Sequence, residues 1–328
     1  MSLDCFRYLA QVLSTQPAVL ATVTAVRGSV PREVGAKMVI TAEGQTFSTI
    51  GGGAGEARVI EQARQVCQTG ENQRIEVDLT GSTKTDRATD GICGGTMQVW
   101  LERWMGESAI GLLQDIIHQL QVGQPVTLVT PFAAGQSPYI LDFSASKPPE
   151  VAPDQAFVET LQPAPMLLIV GAGHVGVQLA TLAAQIGFQV AVQDDRPEWA
   201  NPDRYPQAAY ILTEPIHTAI APLAPQTQLY AALVTRGYTY DLEALTALLQ
   251  RNHPPIYIGM IGSERRVRQV LQAIEGMGIS REKLPSIYAP IGLDIGALTP
   301  EEIAVSIAAE LILVRRGGTG RPLSTLMI

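Results

Sequence analysis

The stretch MLLIVGAGHVGVQLATLAAQIGFQVAVQDDRPE, residues 166–198, constrains the fold more than any other part of the 328-residue chain. Five apolar residues predict a strand. Gly171, Gly173 and Gly176 form G-x-G-x-x-G at its end, a helical pattern follows, and Asp194 and Asp195 close a second strand roughly 20 residues on. In that arrangement Gly171 makes the tight turn, Gly173 lets the backbone approach a pyrophosphate, and Gly176 seats the helix close to the strand. The helix start offers unpaired N–H groups and a partial positive charge to an anion. An acid after the second strand accepts from ribose hydroxyls and disfavours a 2′-phosphate. His174 lies inside the loop, either as an exposed loop residue or as a proton donor to a bound phosphate.

Further apolar runs at 208–212, 229–235, 255–261 and 286–290 alternate with helical patterns. Strands that are apolar throughout indicate a parallel sheet covered on both faces, so the second half is expected to be α/β with a Rossmann-type doubly wound sheet over 166–328. Residues 144–165 are proline-rich and predict a linker with at most one short helical turn around Phe157. The first half, 1–143, mixes strand patterns (18–28, 37–41, 45–50, 74–79, 96–103) with helices near 3–13, 54–68 and 108–121, an α+β or mixed domain.

Composition narrows the function classes. Hydrophobic residues make up 46% and charged residues 16%, and no stretch approaches the roughly 18 continuous apolar residues of a membrane span. The first residues lack a basic leader with a cleavage site, so a cytoplasmic protein is expected. A net charge of −8 argues against a nucleic-acid groove built on overall basicity. Three cysteines, Cys5, Cys67 and Cys93, are odd in number and lack ligand spacing, which predicts free thiols and no structural zinc.

Several polar positions stand apart. Gly51, Gly52 and Gly53 precede a helix that begins near Glu56, and such a run raises the question of what the bare backbone is held there to meet. Gly262-Ser263 resembles a second strand-to-helix phosphate turn, with Arg265, Arg266 and Arg268 crowding the helix start. They either solvate an exposed face or hold a charged ligand. Asp294, in PIGLDIGA, either caps locally or faces a ligand. Thr299, Pro300 and Glu302 predict a capping box, and Ile303, Ile307, Ala308 and Leu311 an apolar helical stripe. His217 and His253 read as ordinary loop histidines. No acid or base suited to hydride-transfer chemistry declares itself.

Taken together, GSVPREVGAKMVI, STIGGGAGEA, GICGG, VGAGHVG, QDDRPE, YIGMIGSERR and PIGLDIGALTPEEIAVSIAAELI resemble the XdhC/CoxI family across nearly the whole chain. The resemblance implies an N-terminal XdhC-type domain, a C-terminal Rossmann domain and a homodimer. It also implies an accessory protein that binds the molybdenum cofactor, supports its sulfuration and delivers it to a molybdenum hydroxylase apoenzyme, with a sulfur-donating cysteine desulfurase as a further partner. The phosphate of molybdopterin, or the pyrophosphate of its dinucleotide form, would meet Gly51, Gly52 and Gly53, with Arg32 and Lys37 adding charge. Cys93, with Gly94 and Gly95, matches the family's Cys-Gly-Gly motif, whose thiolate suits molybdenum or its dithiolene sulfurs. Ala54-Gly55 departs from relatives that carry Cys-Val or Ala-Leu there, which removes any second thiol at that loop. The alternative from a different class is an NAD(P)-dependent oxidoreductase using Gly171–Gly176 and Asp194.

Overall fold

The computed structural model describes residues 2–79, 94–141, 152–279 and 287–325. The chain divides into two compact units, Met1–Pro163 and Ala164–Ile328.

The first unit is built on a five-stranded antiparallel sheet. Its strands are β1 (Ala18–Arg27), β2 (Lys37–Thr41), β3 (Thr46–Ser48), β4 (Gln73–Asp78) and β5 (Thr96–Trp104), in the order β3-β2-β1-β5-β4. Side chains alternate across a strand, so each strand serves two cores. Met38 and Ile40 of β2 join Val59, Ala63 and Val66 of helix α2 (Gly53–Thr69), while Val39 joins Phe6 and Leu9 of α1 (Ser2–Leu13) and Leu113 and Ile116 of α3 (Gly106–Gln121). On the α1/α3 side lies a second, three-stranded antiparallel sheet of β6 (Val126–Pro131), β7 (Tyr139–Ile140) and β8 (Ala156–Leu161), in the order β7-β6-β8.

Strand β8 corrects the linker expectation. Residues 156–161 are not a helical turn around Phe157 but a strand paired with β6 along its whole length. The prolines that suggest a linker flank it, at Pro153 and Pro163; its buried side chains, Ala156 and Leu161, sit at its two ends on opposite faces, and Glu159 shares the face of Leu161. A glutamate at an inward position hides the alternation that marks a strand.

The second unit is the α/β sheet that the sequence predicts. Strands β9 (Met166–Val170), β10 (Gln189–Gln193), β11 (Ala208–Leu212), β12 (Leu229–Leu233), β13 (Tyr257–Met260) and β14 (Ile287–Tyr288) are parallel, in the order β11-β10-β9-β12-β13-β14. This is the doubly wound order of a Rossmann fold, with its reversal point between β9 and β12. Helices α5 (Ile216–Ala219), α6 (Tyr238–Leu249) and α7 (Glu264–Gly276) cover one face, and α4 (His174–Gln185) and α8 (Pro300–Arg316) the other. The capping box at the start of α8 is present: Thr299 Oγ1 accepts from Glu302 N at 3.2 Å and Glu302 Oε2 from Thr299 N at 3.0 Å. Among the described residues no helix is long and apolar enough to cross a membrane.

Candidate functional site

In the first unit the glycine-rich segments that stand out in the sequence converge at one end of the five-stranded sheet. A Cβ on Gly28 would lie 3.0 Å from Gly94 O, one on Gly95 would lie 2.5 Å from the carbonyls of Arg27 and Ser29, and one on Gly51 would lie 2.5 Å from the Pro31 ring. Gly94 and Gly95 bond the backbone of Leu79, and Gly55 of α2 sits against Val77 and Leu79. Residues 27–31, 51–55, 77–79 and 94–95 therefore form one cluster of closely apposed backbone, where any side chain larger than hydrogen at Gly28, Gly51 or Gly95 collides. Arg32, half-buried, directly follows the proline that packs on Gly51. Cys93 lies outside the described residues.

The glycine run itself meets a carboxylate. Glu56 Oε2 accepts from Thr49 Oγ1 at 2.5 Å, Ile50 N at 3.0 Å and Gly52 N at 3.1 Å, while Gly51 N donates to Thr49 Oγ1 at 3.0 Å. Positive φ at Gly51, Gly52 and Gly53, with Ser48 also at +69°, turns these amides inward to make a small anion-holding nest. Burial pushes the Glu56 carboxyl up, but the Thr49 hydroxyl and the backbone N–H groups outweigh it and hold the group below its usual range. Glu56, which by sequence marks the helix start beside the glycine run and is a candidate cofactor-binding residue with it, is in the structure the anion that occupies the nest. Side chains on Gly52 or Gly53 would meet nothing within 4 Å, so the outer surface of the loop is open.

Lys37 is a correction. It shares the β2 parity of Val39, not of Met38, and so faces away from the glycine loop across the sheet. Its Nζ, almost wholly buried, lies 2.6 and 2.7 Å from the two carboxylate oxygens of Glu159 on β8. A second buried acid, Glu102 of β5, faces the same side and accepts from Trp104 Nε1 at 2.9 Å. Among the described residues its Oε1 has no partner, and burial pushes its carboxyl up to about 8 against the pull of Trp104 and Lys37.

In the second unit the fingerprint glycines do what their spacing predicts. A Cβ on Gly171 (φ +108°) would lie 2.5 Å from Val234 O, and one on Gly176 would lie 2.5 Å from Gly171 O; Gly173, the N-cap of α4, faces open space. Asp194 is different. It is buried, and its carboxylate accepts Ala172 N at 2.8 Å, the Arg196 fork at 2.8 and 2.9 Å and Arg196 N at 3.2 Å, with Arg236 at 3.5 Å. Burial raises its pKa, but the Arg196 guanidinium and the Ala172 amide outweigh that and hold it below the ordinary range. A carboxylate has about four acceptor positions, so Asp194 is saturated and braces the loop instead of presenting a free acid to a ribose. Asp195 is held by the Arg236 fork at 2.8 and 2.9 Å.

Around this loop Arg196 and Arg204 stack on Trp199 at 4.8 and 4.6 Å, and exposed His174 meets the same ring edge-on at 6.0 Å. A cavity of about 560 Å³ opens beside it at the carboxyl ends of β9, β10 and β12. Its lining includes Gly171, Asp195, Ile216, His217, Arg236 and Tyr240. His217, an ordinary loop histidine by sequence, is thus a cavity residue, brought there by the short α5 that the apolar pattern does not announce.

The Gly262-Ser263 turn is not part of that lining. Ser263 caps α7 by accepting from Arg266 N, and Arg265 and Arg268 are exposed. Arg266 turns inward to the fully buried Asp241, with Nε 2.6 Å from Oδ2 and Nη2 2.8 Å from Thr235 Oγ1. It ties α6, α7 and the end of β12 together. Asp294 is exposed, in a loop anchored through Gly292 N to Glu310 at 2.9 Å and Leu293 O to Ser306 Oγ at 2.6 Å.

Two units, one glycine-nested and one a Rossmann sheet, define a chain of the XdhC type. The family model described as the XdhC and CoxI family matches residues 12–78, and that of the XdhC Rossmann domain matches residues 167–311. The chain belongs to the XdhC and CoxI family. It is 28% identical over 312 residues to the uncharacterized protein YqeB of Escherichia coli K12, covering 93% of this chain and 44% of that one. A protein of Bacillus subtilis 168 named as a probable xanthine dehydrogenase component is 28% identical over 92% of this chain and 94% of its own length. The molybdenum cofactor insertion chaperone PaoD of E. coli K12 is 26% identical over 93% and 85%. The chain thus spans less than half of the first of these relatives and most of the other two. A crystal structure of a xanthine dehydrogenase from Bacillus halodurans superposes with a TM-score of 0.78 at 27% identity, covering 99% of each chain.

Proposed function

We propose that this protein is an accessory factor that binds the molybdenum cofactor and passes it to a molybdenum hydroxylase of the xanthine dehydrogenase type, supporting its sulfuration on the way. Family membership supports this reading, as does similarity to a protein named as a molybdenum cofactor insertion chaperone. The observation that carries it is the nest at Ile50 and Gly52, already filled by an anionic oxygen of Glu56. Backbone donors that accept a carboxylate also suit a phosphate oxygen, and the open outer side of Gly52 and Gly53 leaves room for one. The donor set therefore fits the phosphate end of a molybdopterin. When bound, that group supplies the dithiolene and the metal. This chain's residues supply amide donors at 50–53, the Arg32 segment beside them, and at Cys93 a thiol for the soft end.

In handing the cofactor on, Glu56 is the competing anion: it leaves the amides when the phosphate arrives and returns when it departs. A sulfur-donating cysteine desulfurase and a mono- or dinucleotide form of the pterin are part of the proposal. Anaerobic purification followed by mass spectrometry tests it. Retained molybdopterin that activates apo-xanthine dehydrogenase is the expected result, and protein free of any pterin that also fails to take one up would sink the reading.

The second reading, an NAD(P)-dependent oxidoreductase, is favoured by one observation, the 560 Å³ cavity with His217 in its wall. Against it stands Asp194, whose acceptor positions are taken by Arg196 and Ala172. Titration with NADH decides: tight binding with turnover of a carbonyl substrate favours the enzyme, and absence of both leaves the carrier.

A further inference from the structure

Strand β1 carries one residue too many for its partner. Its register with β5 shifts between Val23 and Ala25, so Thr24 is the extra residue of a bulge. In a regular strand neighbouring side chains point to opposite faces, but a bulge re-aims them. Thr24 and Ala25 accordingly both line a cavity of about 300 Å³ walled by strands of both sheets of the first unit. Arg74 of β4, Gln98 of β5, Phe132 just after β6 and Phe157 of β8 line it as well. A hollow of about 90 Å³ adjoins it, sharing Ala25 and Gln98 and adding Arg27 and Glu76.

The aromatic part of this wall is already fixed in place. Phe132 lies under the Arg74 guanidinium, 4.1 Å from its ring centre, and tilts against Trp100 at 4.8 Å. The polar part is left unsatisfied. Gln98 is half-buried, and among the described residues its side-chain amide makes no hydrogen bond; Thr24 Oγ1 reaches only its backbone carbonyl, at 3.3 Å. Arg74, Arg27 and Glu76 form no ion pair among the described residues. Polar groups withdrawn from water without partners cost free energy that a matching ligand recovers.

These groups together select a chemistry. A glutamine amide offers a donor beside an acceptor, and a guanidinium offers donors only. Phenyl faces and guanidinium planes stack on nucleobases, glutamine pairs with a base edge, and arginine favours the O6 and N7 acceptors of an oxo-purine. Small-molecule sites occupy roughly 300–1,000 Å³, so this cavity stands at the lower end, where a single base fits better than a nucleotide.

We propose that the cavity binds a free oxo-purine base, stacked at Phe132 and Phe157 and read along its edge by Gln98 and Arg74. The site is distinct from the glycine nest. Gln98 alternates with Met97 and Val99, which pack with α2, so the five-stranded sheet stands between the two. The proposal therefore does not depend on the cofactor reading above.

Isothermal titration calorimetry of the full chain with hypoxanthine, adenine and inosine tests it. Hypoxanthine is expected to bind, adenine about tenfold more weakly because it lacks O6, and inosine more weakly than hypoxanthine because its ribose needs further room. Gln98→Leu should weaken hypoxanthine binding by roughly tenfold, and Arg74→Gln should remove the preference over adenine. Far-UV circular dichroism checks that the variants fold; Arg74 is exposed, so its replacement carries the test should Gln98→Leu not fold. A wild-type chain that does not bind hypoxanthine overturns the proposal. So does equal or tighter binding of adenine or inosine, or hypoxanthine binding indifferent to both substitutions.

Discussion

Glu56 Oε2 sits 3.0 Å from the amide of Ile50 and 3.1 Å from that of Gly52, so the glycine loop supplies its own anion from the helix it introduces. Replacing that carboxylate by its neutral isostere keeps the shape and removes the competitor. Glu56→Gln is expected to raise affinity for molybdopterin or for inorganic pyrophosphate by about tenfold, at a stability cost of about 1 kcal/mol from weakened hydrogen bonds to a charged acceptor. Equilibrium dialysis measures the first and thermal melting the second. Unchanged or weaker anion binding would show that the nest serves only the turn.

Lys37 and Glu159 are buried together and neither has another charged partner at bonding distance among the described residues. Breaking a buried pair from one side leaves an uncompensated charge, which costs roughly 3–5 kcal/mol. Glu159→Gln should therefore lower the melting temperature of the first unit by on the order of 10 °C, whereas Lys37→Met with Glu159→Leu should recover most of the loss. Calorimetry resolves the two units if they melt separately.

The Glu102 carboxyl titrates near 8 in the folded chain, against 4.5 for an exposed glutamate. A folded value above the unfolded one means that stability is complete below about pH 4.5 and is lost as pH rises through about 8. Glu102→Gln keeps the acceptor for Trp104 and removes the titration. The variant should match the parent near pH 5 and exceed it near pH 9 by an amount on the order of a few kcal/mol, read from denaturant midpoints. Parallel stability curves across that range would contradict the assignment.

Cys5 and Cys67 are both buried, and burial pushes the Cys5 thiol up to about 11 and raises Cys67 as well. Thiols held protonated react slowly. Under native conditions a disulfide reagent should leave Cys5 and Cys67 unlabelled, with both appearing only on unfolding. Rapid labelling of three thiols, checked by peptide mapping, would refute this.

The parallel sheet was legible because each of its strands is apolar along its length and each is followed by a helical pattern, a signal local to the segment. The fingerprint glycines were legible for the same reason: their roles depend on neighbours in the chain. What the sequence concealed depends on distant pairing. Lys37 reads as a companion of the glycine loop until the parity of β2 turns it to the other face, and its partner is 122 residues away. Asp194 reads as a free ribose acceptor until Arg196 and Arg236 close on it, and His217 enters a cavity through a four-residue helix too short to announce itself. Strand β8 escaped because its inward glutamate makes sense only beside a buried lysine.

That ion pair also decides where the chain can be cut. A fragment stopping at 143, the boundary that proline content suggests, would keep the lysine and discard its counterion together with the strand that covers it. The amino-terminal half is thus a closed circuit whose last residue of consequence is near 161, and only a truncation placed beyond it leaves a piece able to stand alone.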